Sequence, residues 1–160
     1  MDFVFRLIDI SLGYYLAAVV IVIVVGVFSK KWTYAFLIGY MFLVLADTVL
    51  IRRAGQMFRF ELLPFWSYRD YFNGTDPTLM KQILANVIMF IPIGVLLGRR
   101  IGWKGLLVAA GLSIVIEVLQ LVSQRGLCEF DDVIHNTIGA LIGVGVVILF
   151  DKISRVEEIE

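Results

Sequence analysis

Cysteine, histidine and charge are all scarce in this chain, and each shortage closes off a class of protein. Cys128 is the one cysteine, so no internal disulfide can form, and thiol usage says nothing about compartment. His135 is the one histidine. It lies close in sequence to Glu129, Asp131 and Asp132, which are suitable donors for a divalent cation, yet no H-E-x-x-H element or cysteine cluster completes a recognisable metal site. No metal and no other cofactor is expected. Charged residues make up 18% of the chain, below the roughly one quarter of a soluble domain. Formal net charge is zero, which argues against a general nucleic-acid binder. Internal repeats, low-complexity segments and a polar stretch long enough for a soluble domain are absent as well.

What fills the chain is apolar sequence: 60% of residues are hydrophobic and mean hydropathy is +0.91. Five runs stand out. Residues 10–29 and 82–98 carry no charge, 32–51 carry only Asp47, 105–124 only Glu117, and 133–150 only His135. Each is close to the roughly 20 residues, at ~1.5 Å rise, that cross a ~30 Å hydrocarbon core. The expected fold is therefore all-α: a polytopic membrane protein, a compact bundle of about five transmembrane helices forming one domain over residues 1–160. The first run is too long for a signal-peptide core, and Lys30-Lys31 follows it in place of a small-residue cleavage site.

One connection is long, residues 52–80, and it holds Phe58, Phe60, Phe65, Trp66, Tyr68, Tyr71 and Phe72. Aromatics at that density predict a segment lying at headgroup level or folded back onto the helices. Pro64 limits helix there, and Asn73-Gly74 and Asp76-Pro77 read as turns. The other loops are short, so neighbouring helices should run antiparallel. Basic residues divide evenly between the two sides: Lys30, Lys31, Arg99, Arg100, Lys104, Lys152 and Arg155 against Arg6, Arg52, Arg53, Arg59, Arg69, Lys81 and Arg125. Discounting arginines that a polar site would hold favours the N-terminus outside and the C-terminus inside.

The polar residues are not scattered. Ser113, Glu117, Gln120 and Gln124 recur at i, i+4, i+7 and i+11, and Asp132, His135, Asn136, Gly139 and Gly143 form a second such stripe. A charge within hydrocarbon costs at least a few kcal/mol, so these faces should look into the bundle and mark a functional pocket or a paired contact. The short connector, residues 125–131, and the antiparallel order bring Arg52, Asn86, Glu117, Gln120, Arg125 and Asp132 to one membrane surface, under the aromatic segment. Neutral Asn, Gln and Ser also glue helices together, and Gly94/Gly98 and Gly139/Gly143 suit close helix packing. For Glu117 and Asp132 the alternative to function is a buried ion pair with Arg125 or Arg52. Asp47 either pairs with Arg52 or joins the pocket. No nucleophile has an evident base, since Ser113 shares its face with Glu117 but with no histidine, so no catalytic residue is assigned.

Four stretches carry a resemblance: TVLIRRAGQMFRFELLPFWSY at 48–68, NVIMFIPIG at 86–94, SIVIEVLQ at 113–120 and RGLCEFDDVIHNTIGALIG at 125–143. In this order the chain resembles the VanZ-like family of bacterial membrane proteins. The motif-bearing core covers about residues 48–145, and the first helix, about 10–29, lies outside it. The family pattern falls on Arg52, Asn86, Glu117, Gln120, Arg125, Glu129, Asp132 and Asn136, with Arg53 and Arg59 as further candidates for the functional arginine. Ile93 stands where leucine is commoner, and Glu129 where aspartate is often found. The resemblance implies a multi-pass protein of the bacterial cytoplasmic membrane associated with reduced susceptibility to teicoplanin, a lipid-tailed glycopeptide. The partners it implies are a membrane lipid or lipid-linked cell-wall precursor and the lipoglycopeptide itself, with no nucleic acid. A membrane enzyme acting on a polyprenyl-linked or phospholipid substrate, with Glu117 as base, and an accessory subunit of an envelope complex are the competing readings.

Overall fold

The computed structural model describes residues 12–157 except 53, 56 and 57. Arg6 and Arg53 of the loop count, and the last three residues, Glu158, Ile159 and Glu160, lie outside the described residues. The chain runs α1 (Leu12–Ser29), α2 (Trp32–Leu45) extended by a π-turn (Ala46–Leu50), β1 (Phe60–Glu61), α3 (Trp66–Phe72), α4 (Leu79–Ile101), α5 (Lys104–Ser123), β2 (Cys128–Glu129) and α6 (Phe130–Glu157). Among the described residues, five helices are long and apolar enough to cross a membrane: α1, α2 with its π-turn, α4, α5 and α6. The bundle is all-α apart from the short β1–β2 pair.

The third and fifth spans extend beyond the apolar runs at 82–98 and 133–150. The reason is chemical: α6 begins at Phe130 with Asp131 and Asp132 in its first turn, where carboxylates complement the helix dipole, and α4 ends with Arg99 and Arg100 in its last. Apolar runs mark the hydrocarbon, whereas helices continue into the headgroups.

Small residues set the centre of the bundle. Gly94 of α4 lies against the backbone of Ala140, while Gly139 and Gly143 of α6 lie against the carbonyls of Val87 and Ile91. The α4–α6 contact is thus backbone on backbone, which is the close approach that small residues permit between membrane helices. Around it Val44, Met89, Phe90, Ile93, Leu97, Ala109, Ile116 and Ala140 form the buried core. Pro92 interrupts α4, and Tyr40 of α2 donates its hydroxyl to the Met89 carbonyl at 2.9 Å in the turn that proline loosens. Helix α1 packs mainly on α2, burying Ala18 and Gly26, and leaves Leu16, Val20, Ile23 and Val27 facing outward.

Antiparallel order separates the two ends. One end carries Lys30, Lys31, Arg99, Arg100 and Lys104; there Arg100 donates to Thr33 Oγ1 at 2.8 Å and lies over the Tyr34 ring at 5.2 Å. The other end gathers the π-turn, β1, α3, the start of α4, the end of α5, β2 and the start of α6.

Candidate functional site

The stripe on α5 faces inward: Ser113, Glu117 and Gln120 are all buried. Gln124 departs from it. Its φ is +56°, so the helix ends there and the side chain leaves the face that i, i+11 spacing assigned to it. Each remaining member meets the end of another element. Glu117 Oε2 accepts the Glu129 N–H at 2.8 Å. Asp132 Oδ1 accepts the side-chain amide of Asn86 at 2.6 Å, tying α6 to α4. One turn deeper, Asn136 Nδ2 donates to Ser113 Oγ at 2.8 Å. Asn136 is therefore a buried strut between α5 and α6, below the level of the charged groups.

The arginines divide in role. The π-turn widens the end of α2, with Ile51 N–H reaching back to the Ala46 carbonyl at 3.0 Å, and Arg52 follows directly. A Cβ built on Gly126 would lie 3.0 Å from Arg52 Nη1 and 3.1 Å from Gln120 Oε1, so both atoms crowd the same small gap beside that glycine. The Arg52 charge acts on Glu117, Glu129 and Asp132 together, yet among the described residues none of the three is in ion-pair contact with it. Arg125 is occupied elsewhere. Its Nη1 donates to the Leu50 carbonyl at 2.7 Å and the Val49 carbonyl at 3.4 Å, capping the end of the π-turn. A buried pair between Arg125 and Glu117 or Asp132 is not formed. Arg59 has an exposed side chain and contributes its carbonyl to Cys128 N–H at 3.0 Å, so of the described arginines Arg52 is the one in the cluster. Asp47 lies in the π-turn with its charge in reach of Tyr15 on α1.

The long connection is folded back onto this end. β1 pairs with β2 in parallel, Phe60 against Cys128 and Glu61 against Glu129, and Gly55 N–H bonds the Gln124 carbonyl at 2.6 Å. Beyond Pro64, α3 docks on the first turn of α6. Asp131, fully buried, accepts Phe65 N–H at 2.5 Å, Ser67 N–H at 3.0 Å and the Ser67 hydroxyl. These are the orphan donors of a helix start, satisfied here by a carboxylate from another helix. His135 continues the contact, with Nε2 3.0 Å from the Tyr68 hydroxyl and the two rings edge to face at 5.4 Å. Sequence reasoning gave Asp131 no role of this kind. The available signal was Ser67 after Pro64, a helix start without a capping side chain of its own.

The set His135, Glu129, Asp131 and Asp132 is dispersed by the same geometry. Neighbours on a helix point about 100° apart, so Asp131 and His135 serve α3 while Asp132, with Glu129, faces Arg52. Among the described residues no group of three His, Cys, Asp or Glu side chains is placed to hold a metal.

These residues coincide with a known family. The VanZ/LLP1 family model matches residues 12–151, so the match takes in α1 as well as the motif-bearing core. The chain belongs to the VanZ/LLP1 family. It is 34% identical over 68 residues to Protein VanZ of Enterococcus faecium, a match covering 40% of this chain and 42% of that relative. The chain thus spans less than half of the relative's length. No solved structure matches.

In this VanZ/LLP1 chain the cluster combines half-buried Arg52, Asn86, Glu129 and Asp132 with buried Glu117 and Gln120. Burial pushes the Glu129 carboxyl up to about 8; Asp132, Asp131 and Glu61 raise it further, and Arg52 opposes them. Burial first, and then the charges of Glu117, Asp132 and Glu129, hold the Cys128 thiol above its ordinary range, which keeps it protonated and unreactive. A carboxyl raised above its ordinary 4.5 favours the folded state most below that value. Its contribution is lost as pH rises from there through about 8. The melting temperature of the purified protein is therefore expected to fall across this window, and Glu129→Gln to flatten the profile; an equally steep decline in the variant would remove Glu129 as the cause.

Proposed function

We propose that this protein lowers susceptibility to teicoplanin-type lipoglycopeptides by engaging, at the Arg52 site, the head group of a lipid-linked envelope molecule at the outer face of the bacterial cytoplasmic membrane. The observation that carries the reading is the convergence of Arg52, Glu117, Glu129 and Asp132 at one end of the bundle without an ion pair among them. A cation and three carboxylates kept there for structure alone would be expected to pair. Groups of both signs that remain unpaired at the edge of hydrocarbon suit a ligand with a polar head and an apolar tail.

Orientation follows from the same end. Arg125 is committed to backbone carbonyls, Arg69 pairs with Asp70 at 3.1 Å, and the unpaired Arg52 is assigned to the proposed site. Discounting them leaves Lys30, Lys31, Arg99, Arg100 and Lys104 as the dominant cluster, which supports the opposite end as cytoplasmic. The site then faces outward, where the acyl tail of teicoplanin would concentrate the drug beside lipid-linked precursors.

The test is susceptibility of a Gram-positive host expressing wild type, Arg52→Gln or Glu117→Ala, with membrane levels matched. Wild type is expected to protect against teicoplanin and much less against vancomycin, which lacks the acyl tail, and both variants to lose the protection. Protection retained by well-inserted variants would remove the site from the account. A second reading is favoured by the gathering of Glu117, Glu129 and Asp132 about Arg52: carboxylates in a shared, half-dry site suit proton transfer. Turnover of a polyprenyl-linked substrate by purified protein, abolished in Glu117→Gln, would establish it.

A further inference from the structure

The donors and acceptors around Arg52 are strongly unbalanced. Among the described residues, Arg52 is the cation of the site, and the Asn86 amide and the Glu129 N–H are already engaged by Asp132 and Glu117. Acceptors are in excess. Among the described residues, no donor is in hydrogen-bond contact with the second carboxylate oxygen of Glu117 or Asp132 or with the Glu129 carboxylate, and Gln120 Oε1 is buried and unpaired in a residue only 2% exposed. A buried acceptor left without a donor costs ~1–3 kcal/mol. Three carboxyl groups about one guanidinium would carry surplus negative charge once ionised, which a low-dielectric site tolerates only if protons or an incoming cation take it up.

An anionic head group alone would answer Arg52 and worsen the rest. We propose that the site recognises a head group carrying both a phosphate and a primary ammonium, the phosphate on Arg52 and the ammonium among Glu117, Glu129, Asp132 and Gln120 Oε1. This rests on the reading that the site takes a lipid head group, and it names the chemistry of that group. A primary ammonium brings three N–H donors and one positive charge, matching both the unpaired acceptors and the charge surplus. Arg52 Nη1 and Gln120 Oε1 both lie beside Gly126, so the two halves of the head group would bind at neighbouring positions. A trimethylated amine brings the charge without the donors.

The probe is phosphatidylethanolamine with a fluorescent acyl chain, titrated onto the purified full chain in detergent beside phosphatidylcholine and phosphatidylglycerol analogues. Phosphatidylethanolamine is expected to bind at least about tenfold more tightly than either, in line with the one or more charge-assisted hydrogen bonds at stake. Arg52→Lys should weaken binding of all three lipids, since each carries the phosphate, whereas Glu129→Gln, near-isosteric at a half-buried position, should erode the ethanolamine preference about tenfold, with folding confirmed by melting temperature. Competition by soluble glycerophosphoethanolamine would show that the head group suffices, and its failure to compete while the lipid binds would show that the acyl chains are required; either result fits the assignment. Equal binding of the three lipids, or an ethanolamine preference that survives Glu129→Gln, overturns it. Arg52-dependent binding of phosphatidylglycerol without an amine preference would sink the ammonium assignment and leave the head-group reading standing. Binding of all three lipids that is indifferent to Arg52 would remove both.

Discussion

Replacing Gly139 with alanine is expected to force α4 and α6 apart. The added Cβ would stand 2.1 Å from the Val87 carbonyl oxygen, and at Gly143 and Gly94 the corresponding distances to backbone oxygens are each 2.2 Å. A crowded side chain can rotate away, but a backbone carbonyl in a helix cannot. Overpacking a core by a methylene costs ~1–3 kcal/mol when side chains relax; here the helices themselves must move, so the penalty belongs at or beyond the top of that range. The damage reaches the site, because α4 carries Asn86 and α6 carries its partner Asp132. Gly111 and Gly145 provide the contrast, since nothing lies within 4 Å of a Cβ at either position. Alanine there should leave the melting temperature unchanged or raise it, by up to the ~1 kcal/mol that separates glycine from alanine in a helix. Melting of detergent-solubilised variants by size-exclusion separates the cases, and Gly139→Ala melting like wild type would disprove the close-contact account.

Asp131→Ala is expected to release α3. The substitution leaves Phe65 N–H, Ser67 N–H and the Ser67 hydroxyl without their acceptor. Such losses cost ~1–3 kcal/mol for each donor that stays buried. The segment has a cheaper course, which is to detach and take its donors to water. Phe65 favours detachment, because it is held at φ +61°, a left-handed conformation that a bulky residue adopts only under constraint. Amide exchange over residues 65–72 should rise by an order of magnitude or more, and protease should gain access to the connection, while α4, α5 and α6 stay protected. Asp131→Asn keeps one acceptor oxygen and should give an intermediate result. Unchanged exchange in Asp131→Ala would mean that the contact between His135 and Tyr68 is sufficient to hold α3 in place.

Much of this fold is a consequence of hydrocarbon thickness, and was legible for that reason. Five apolar runs of spanning length, separated by short loops, leave an antiparallel bundle as the simple solution. The inward stripe of Ser113, Glu117 and Gln120 was equally legible, because helical periodicity repeats through every turn of a regular helix. So was the meeting of Asn86 with Asp132, since antiparallel order puts both at one end.

Legibility ended where the helices end. Gln124 continues the i, i+4, i+7, i+11 arithmetic, but the helix stops there and the chain turns left-handed. Arg125 reads as a ligand-binding cation until the π-turn of α2 presents it with two unsatisfied carbonyls. Asp131 and Asp132 are adjacent and chemically alike, yet one caps α3 and the other faces Arg52. By itself, the sequence determined the number of spans, their order and which helical faces are polar, because those properties depend on local composition and a fixed period. Only the tertiary structure decided which of two neighbouring carboxylates is structural and which of several arginines is left free. Those assignments depend on where separate elements place their unsatisfied backbone groups, and local periodicity carries no information about that.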